Sequence, residues 1–375
     1  MTNLSGSRVR GCAIGYRLYD VGYEIDLELA AARIPAVQLT RFVPSPEVAN
    51  ALRIPHPPLV VHLGDVPLGG VLRAATATLS ARIYHFGVIA IRLRIAGTGG
   101  ELSWADFSAF GNDVTRLLAT TGAFHDAITR LCDQLGPAIA RPRLADVTEE
   151  YCVFRLSSWT LADGAPMTLE TIPDSALTSL LLQETRAINA STTRELLPHR
   201  FSYYDDDLVV LSWEHALLIA PTLEETDVEW VLEFANAQLL ELRYYDAQLA
   251  EDLPRLYDDI EAARGRGRWF FRQRFGPLLG RLYRLNADTT DVVERAEDAL
   301  KVTNDVYLAR IYGAAMEIFR SKEWRADMDR KLAIIRGTYG MLNAEAQAGR
   351  SELLEWMVVG LIVAELLLAF YRWGG

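Results

Sequence analysis

The chain has 375 residues; 50% of them are hydrophobic, 23% are charged, and the formal net charge is −11. This length predicts two or three folded units, and the hydrophobic content excludes a disordered or collagen-like chain. The acidic charge argues against a protein whose whole surface binds nucleic acid. Three scattered cysteines, Cys12, Cys132 and Cys152, form neither a disulfide framework nor a CxxC motif, which indicates a reducing compartment.

The first 221 residues carry strand signals separated by turn residues. The fragments GCAIGYRL (11–18) and EEYCVFRL (149–156) are alike, which suggests two related α/β modules, 1–136 and 149–221, joined by a proline-containing segment. Strands are predicted at 10–18, 59–63, 82–95, 151–156, 201–204 and 208–213, and helices around 23–33, 104–135 and 174–189.

From residue 222 the pattern changes to long helices. Apolar residues recur at alternating steps of three and four from Val228 to Ile260, and again from Leu300 to Trp356. The fold class predicted is therefore α+β, with a mixed α/β part followed by a coiled-coil-like helical hairpin or stalk over 222–352. Either an intramolecular hairpin or a stalk that also pairs between subunits explains this periodicity.

The segment 353–373, LLEWMVVGLIVAELLLAFYRW, is apolar over most of its length. As a helix it is roughly 31 Å long, close to the thickness of a bilayer core, and Trp356, Tyr371 and Trp373 lie where interfacial aromatics are favoured. Glu365 lies inside the span, where it should be protonated or face a neighbouring helix. We therefore expect a C-terminal transmembrane helix.

The absence of a signal or transit peptide at the N-terminus places the remainder of this expected single-pass, tail-anchored protein in the cytoplasm. A bacterial inner membrane or an equivalent membrane fits this topology. The alternative is a C-terminal helix buried in a soluble protein.

Catalytic and cofactor signatures are missing from the sequence. There is no GxSxG, no GxxxxGK[ST], no GxGxxG after a strand, no HExxH, and no two histidines at helical i,i+4 spacing. We therefore predict no cofactor and no catalytic residue. An enzyme, or a nucleotide- or ligand-binding protein, is the alternative; its site would use His85, Asp205 or His199 in the α/β part.

An arginine-rich segment at 264–287 contains seven arginines and no acid. Its candidate contact residues are arginines with an interleaved tryptophan: Arg264, Arg266, Arg268, Trp269, Arg272 and Arg274. Arginine with aromatic residues suits RNA or a ribonucleoprotein, and equally an anionic lipid surface. Pairing with acidic groups of the same chain is the third interpretation.

The C-terminal forty residues resemble a known family. The pairs Lys331-Leu332 and Ile335-Arg336, the triplet Leu354-Glu355-Trp356 and Glu365 occupy the positions typical of the required-for-meiotic-nuclear-division family. This resemblance implies a membrane-anchored scaffold rather than an enzyme, and its mitochondrial branch is associated with translation and with homo-oligomers. We therefore expect a self-associating scaffold that tethers a soluble assembly, such as a ribosome, to a membrane.

Overall fold

The structure of the chain is a computed structural model in which two compact units are distinguished. One unit comprises Met1–Tyr244 and Arg295–Lys322, and the other comprises Tyr245–Glu294 and Glu323–Gly375. The residues described are 4, 6–41, 56–68, 77–97, 100–168, 171–184, 186, 188–221, 226–264, 280, 283–284, 287 and 305–373.

A ten-stranded sheet organises the first unit, in the order β10-β11-β12-β9-β1-β6-β5-β4-β3, with β7 beside β1. β2 and β8 form a separate pair. Neighbours in the large sheet run antiparallel, except that β12 and β9 are parallel. The strands are β1 (Arg8–Asp20), β2 (Glu24–Ile25), β3 (Leu39–Arg41), β4 (Leu59–Asp65), β5 (Ala77–Ile83), β6 (Val88–Ala96), β7 (Leu102–Ser103), β8 (Ile139–Ala140), β9 (Thr148–Thr160), β10 (Arg200–Phe201), β11 (Leu208–Leu211) and β12 (His215–Ile219).

Helices connect these strands and then follow them in the chain. Several begin at a side chain that caps their first amide groups: Asp26 accepts two backbone hydrogen bonds at the start of α1, and Asp305 does the same at the start of α7. The helices are α1 (Leu27–Arg33), α2 (Trp104–Thr120), α3 (Ala123–Leu135), α4 (Asp174–Leu181), α5 (Ala190–Leu196), α6 (Asp227–Arg264), α7 (Val306–Ile318) and α8 (Ser321–Trp373).

The two similar sequence fragments are the two central strands of the sheet. β1 and β9 pair antiparallel, with Gly15 opposite Cys152 and Ile14 opposite Val153. Both strands are buried over most of their length. Strands buried on both faces read as nearly continuous apolar runs, which accounts for the likeness of the fragments. The modules 1–136 and 149–221 both contribute strands to this one sheet, and their boundaries stay a prediction.

The two faces of the sheet differ in chemistry because side chains alternate along each strand. On the apolar face, Phe154 of β9 and Ile91 of β6 belong to one hydrophobic core with Phe107 of α2. On the charged face, Arg155 of β9 and Arg92 of β6 form ion pairs with α6.

The prediction of a C-terminal transmembrane helix is wrong for the described residues: none of their helices is both long enough and apolar enough to cross a membrane. Residues 353–373 are the last part of the 53-residue α8. Glu355, Glu365 and Arg372 bring three ionisable groups into this segment, and such groups are expensive inside a bilayer. The predicted tail anchor and single-pass membrane location are corrected accordingly.

Candidate functional site

Of the three residues named for the alternative enzyme or ligand-binding site, His85 lies apart from His199 and Asp205, which are on either side of β10. His85 is in the turn between β5 and β6, where its ring lies 4.5 Å from that of His56. His199 precedes β10 and lies 3.9 Å from Glu317, and Asp205 is exposed in the turn between β10 and β11. β11 and β6 are four inter-strand spacings apart, roughly 19 Å. His85 therefore cannot share a pocket with Asp205.

Asp205, Asp206 and Asp207 lie in the turn between β10 and β11, and the last of them stabilises that turn. Asp207 accepts backbone hydrogen bonds from Tyr203 at 2.7 Å and from Tyr204 at 3.0 Å. Among the described residues, no group of three or more histidine, cysteine or acidic side chains could hold a metal ion.

The remaining sequence-predicted site residues are described only in part. Arg264 is the last residue of α6, and the other candidate contacts of the arginine-rich segment, from Arg266 to Arg274, lie outside the described residues. Binding of RNA or anionic lipid there stays a prediction. Glu365 is exposed on α8. The side chains of Trp356, Tyr371 and Trp373 also lie outside the described part of the chain.

A buried cluster of charges joins the charged face to α6. Glu229 and Glu233 are one helical turn apart and therefore share a side of α6. Glu229 Oε1 lies 2.8 Å from Arg155 Nη1, and Glu233 Oε2 lies 3.0 Å from Arg82 Nη1. Arg92 lies between them, with Nε 3.3 Å from Glu233 and Nη2 3.7 Å from Glu229. All five side chains are buried.

Burial and mutual charge set the ionisation of this cluster. The Tyr84 hydroxyl donates to Glu233 Oε1 at 2.8 Å, and burial, followed by the Glu233 charge, raises the pKa of Tyr84 well above its usual value. Burial is the largest single influence on the pKa of Arg155 and lowers it, but the charge of Glu229 together with Cys12 and Tyr16 raises it above its usual value. The arginine therefore stays charged, and the cluster is a set of ion pairs that fixes α6 over particular strands.

A second constellation lies where β11 turns into β12. The Ser212 hydroxyl donates to the carbonyl oxygen of His215 at 2.8 Å and accepts from the His215 amide at 3.1 Å. The buried Tyr151 hydroxyl lies 3.1 Å from the Ser212 carbonyl and 3.0 Å from the His215 carbonyl, and it can donate to either. These bonds hold Trp213 and Glu214 at the tip of the turn, where both are exposed.

The imidazole of His215 is buried on the apolar face and stacks on Phe154, with the ring centroids 5.6 Å apart. Its Nε2 lies 3.3 Å from Thr115 Oγ1 and 3.3 Å from the amide nitrogen of Gln183. An amide nitrogen only donates, so His215 Nε2 accepts and the ring proton is on Nδ1. Burial lowers the pKa of His215 to about 4, against an opposing backbone hydrogen bond with Leu181, and the ring is neutral at pH 7.

A cleft of about 310 Å³ opens beside this histidine. It is lined by the end of α4 and the residues after it, by the end of α5, and by the β11–β12 turn. Gln183, in this lining, adopts a left-handed backbone conformation with φ of 54°, which is uncommon for a residue other than glycine. That conformation accompanies the placement of its amide on His215. The lining residues are Leu181, Leu182, Gln183, Glu184, Ile188, Leu196, Ser212, Trp213, Glu214 and His215.

Comparison with known proteins places most of the first unit in one family. The family model described as "Uncharacterized protein MJ0711, N-terminal domain" matches residues 10–225, more than half of the chain. The chain belongs to this family. The matched region contains the whole cleft and the three arginines of the charged face, but it ends before Glu229 and Glu233 of α6.

One relative in this family is the uncharacterized protein MJ0711 of Methanocaldococcus jannaschii. It is 25% identical over 202 residues, which cover 53% of this chain and 60% of the relative. The match therefore spans less than two thirds of the relative's length. No solved structure matches this chain. These matches concern a family of unknown function and carry no support for the required-for-meiotic-nuclear-division family in particular.

The sequence patterns do not identify the residues of the cleft. Glu214-His215 lacks the HExxH arrangement of a metal site, and Gln183 and Trp213 belong to no recognised motif. A polar residue at the first position of the apolar run His215–Ile219 was the available signal. Its partners, Thr115 and Gln183, are distant in sequence and could be found only from the fold.

Proposed function

We propose that this protein is a self-associating interaction protein whose copies contact one another through α8. The observation that supports this proposal is an exposed apolar run on that helix. Successive residues of a helix point in directions about 100° apart, so a run of consecutive apolar residues presents apolar surface on every side. The exposed fractions lie between 49% and 71% for Met357, Val358, Val359, Leu361, Ile362 and Val363.

The beginning of the same helix behaves differently. Met328, Leu332 and Ile335, spaced by four and three residues, belong to the second unit and are buried. Lys331, beside them, forms an ion pair with Asp246 of α6. One stripe of α8 is thus covered intramolecularly at its start, as an intramolecular hairpin requires, whereas the run after Met357 is exposed.

A second copy of α8 is the occupant that matches this run. Exposed apolar patches mark interaction sites, and an identical run on another chain supplies the same apolar surface over the same length. Because the run is apolar on every side, a single neighbouring helix would cover only one stripe. We therefore expect an assembly of more than two copies. Gly360 within the run allows helices to approach closely.

The resemblance of residues 331–370 to the required-for-meiotic-nuclear-division family also supports a scaffold, since that family includes a branch associated with homo-oligomers. This part of the chain lies outside the region that matches the MJ0711 N-terminal domain. Self-association is accordingly a proposal about this chain.

Sedimentation equilibrium of the full chain tests it. The wild type should be oligomeric at micromolar concentration, and the double variant Val359→Glu/Ile362→Glu should be monomeric, because two carboxylates would have to be buried in the interface. Val37→Glu is the matched control, since Val37 is also a highly exposed valine (91%) but lies in the first unit. A monomeric wild type, or a double variant that still assembles, would contradict the proposal.

A further inference from the structure

The inner surface of the cleft beside His215 is apolar. Leu181 and Leu182 at the end of α4, Ile188 after it and Leu196 at the end of α5 contribute aliphatic side chains. The volume of about 310 Å³ falls at the lower end of the range of small-molecule sites. The apolar lining therefore suits a small apolar group rather than a fully solvated ion.

The charged residues of the cleft favour a positively charged ligand. Glu184 and Glu214 belong to the lining and are exposed, and none of the described lining residues is lysine or arginine. Trp213, 46% exposed, offers an indole ring, the aromatic surface that attracts cations most strongly. The chain itself places a cation near this ring, since the guanidinium of Arg320 lies 5.9 Å from its centroid.

The polar groups deeper in the cleft do not oppose a cation. Gln183 and Ser212 are uncharged, and His215 already accepts a hydrogen bond from the Gln183 amide as a neutral ring. Glu184 and Glu214 therefore give the described lining a negative charge, and Arg320, near Trp213, lies outside that lining.

We propose that this cleft binds a small organic cation: an ammonium or guanidinium group that contacts Glu184, Glu214 and Trp213, with an apolar body against the leucines and Ile188. This binding function is independent of self-association through α8. The ligand class follows from three features together: an apolar interior, two carboxylates and an accessible indole ring.

Isothermal titration calorimetry at low ionic strength tests the ligand class with three probes of similar shape. These are 2-phenylethylammonium, the neutral 2-phenylethanol and the anion 3-phenylpropionate. We expect the ammonium to bind about ten-fold more tightly than the alcohol, because two partly screened carboxylates each contribute a modest attraction, and the anion to bind most weakly. Added salt should reduce the preference for the ammonium. Equal affinity for all three probes, or no saturable binding of the ammonium, would overturn the proposal.

Two variants locate the binding. Glu184→Gln/Glu214→Gln should lower the affinity for the ammonium to that for the alcohol, whereas Glu101→Gln, which removes an exposed carboxylate outside the lining, should leave it unchanged. Ile188→Trp should fill the cleft and abolish binding of both the ammonium and the alcohol. Ammonium binding that survives both the double variant and Ile188→Trp would place the cation elsewhere and refute this site.

Discussion

On the apolar face of the sheet, α2, α3 and α4 pack through side chains such as Phe107, Ile128 and Leu177, whereas on the charged face α6 is held through Glu229 and Glu233. A buried aliphatic or aromatic side chain contributes roughly 1.5–3 kcal/mol wherever it finds a matching surface. Burying ions costs several kcal/mol each, and good geometry must recover that cost. The apolar face therefore supplies net stability, and the charged face fixes which strands α6 lies across.

The largest expected change in stability comes from breaking the buried ion pairs of the charged face. Replacing Glu233 by Gln removes the carboxylate charge that pairs with Arg82, which is fully buried, and it also weakens the contact to Arg92. Breaking one member of a buried ion-pair cluster typically costs about 3–5 kcal/mol. We expect a loss of unfolding free energy of that size in urea titrations of Glu233→Gln.

The matched control for Glu233→Gln is an exposed ion pair of the same unit. Arg116, whose side chain is 76% exposed, pairs with Asp113 on α2. Arg116→Gln should change stability by no more than about 1 kcal/mol, because solvent screens the pair. Similar losses in the two variants would mean that burial does not distinguish the charged face.

The next effect concerns the ionisable group on the apolar face. The pKa of His215 is lowered to about 4 by burial, and that of an unfolded histidine is near 6.5. Between these values the unfolded chain binds a proton that the folded chain does not, so acid favours unfolding. The stability is fully present above pH 6.5 and is lost as the pH falls towards 4, by up to about 3 kcal/mol.

His215→Gln removes this titration, so the comparison is the pH dependence of the stability difference between wild type and variant. The difference should shrink as the pH falls from 6.5 to 4. Glu149, whose pKa is raised by burial to about 7, acts in the opposite direction, but it is common to both proteins. A difference that does not change with pH would show that His215 is already protonated or solvent-accessible in the folded protein.

The same contrast explains how much could be predicted from the sequence. β1, β4, β9 and β11 correspond to predicted strands, because apolar alternation and turn residues are local signals. The predicted run at 82–95 is a hairpin, in which β5 and β6 are separated by the turn at Gly87. Gly87, with φ of 88°, was the available local signal for that turn.

The charged cluster could not be predicted because its members come from the β5–β6 hairpin, from β9 and from α6, which are distant in sequence. Arg82, Arg92 and Arg155 each appear in the sequence as a charged residue flanked by two apolar ones, and Glu233 appears as one more polar residue between the apolar positions of α6. Only the neighbouring positions of β5, β6, β1 and β9 bring the arginines under α6. The cleft depends in the same way on Gln183 reaching His215 from another element. The prediction of a C-terminal transmembrane helix gave more weight to the apolar length of 353–373 than to the cost of Glu365 inside it.

The smallest effect tests how closely the apolar face is packed. Gly111 on α2 lies against Leu180 and Phe154, and a Cβ added there would meet Leu180 Cδ1 at 2.5 Å and Phe154 Cε1 at 3.0 Å. Gly111→Ala should therefore destabilise the protein by about 1–2 kcal/mol, because α2 must move away from the sheet.

Gly313 on α7 is the matched glycine in a helix of the same unit, and it is exposed, with no atom within 4 Å of an added Cβ. Gly313→Ala should stabilise the protein by about 0.5–1 kcal/mol, since alanine is the better helix former. If the two substitutions change the unfolding free energy in opposite directions in the same thermal or urea assay, the effect of packing is separated from that of helix propensity. Stabilisation by Gly111→Ala would contradict this, because it would require α2 to lie farther from Phe154 than the distance given above. The apolar face would then be packed as loosely as the charged face, where long arginine and glutamate side chains separate the helix from the sheet.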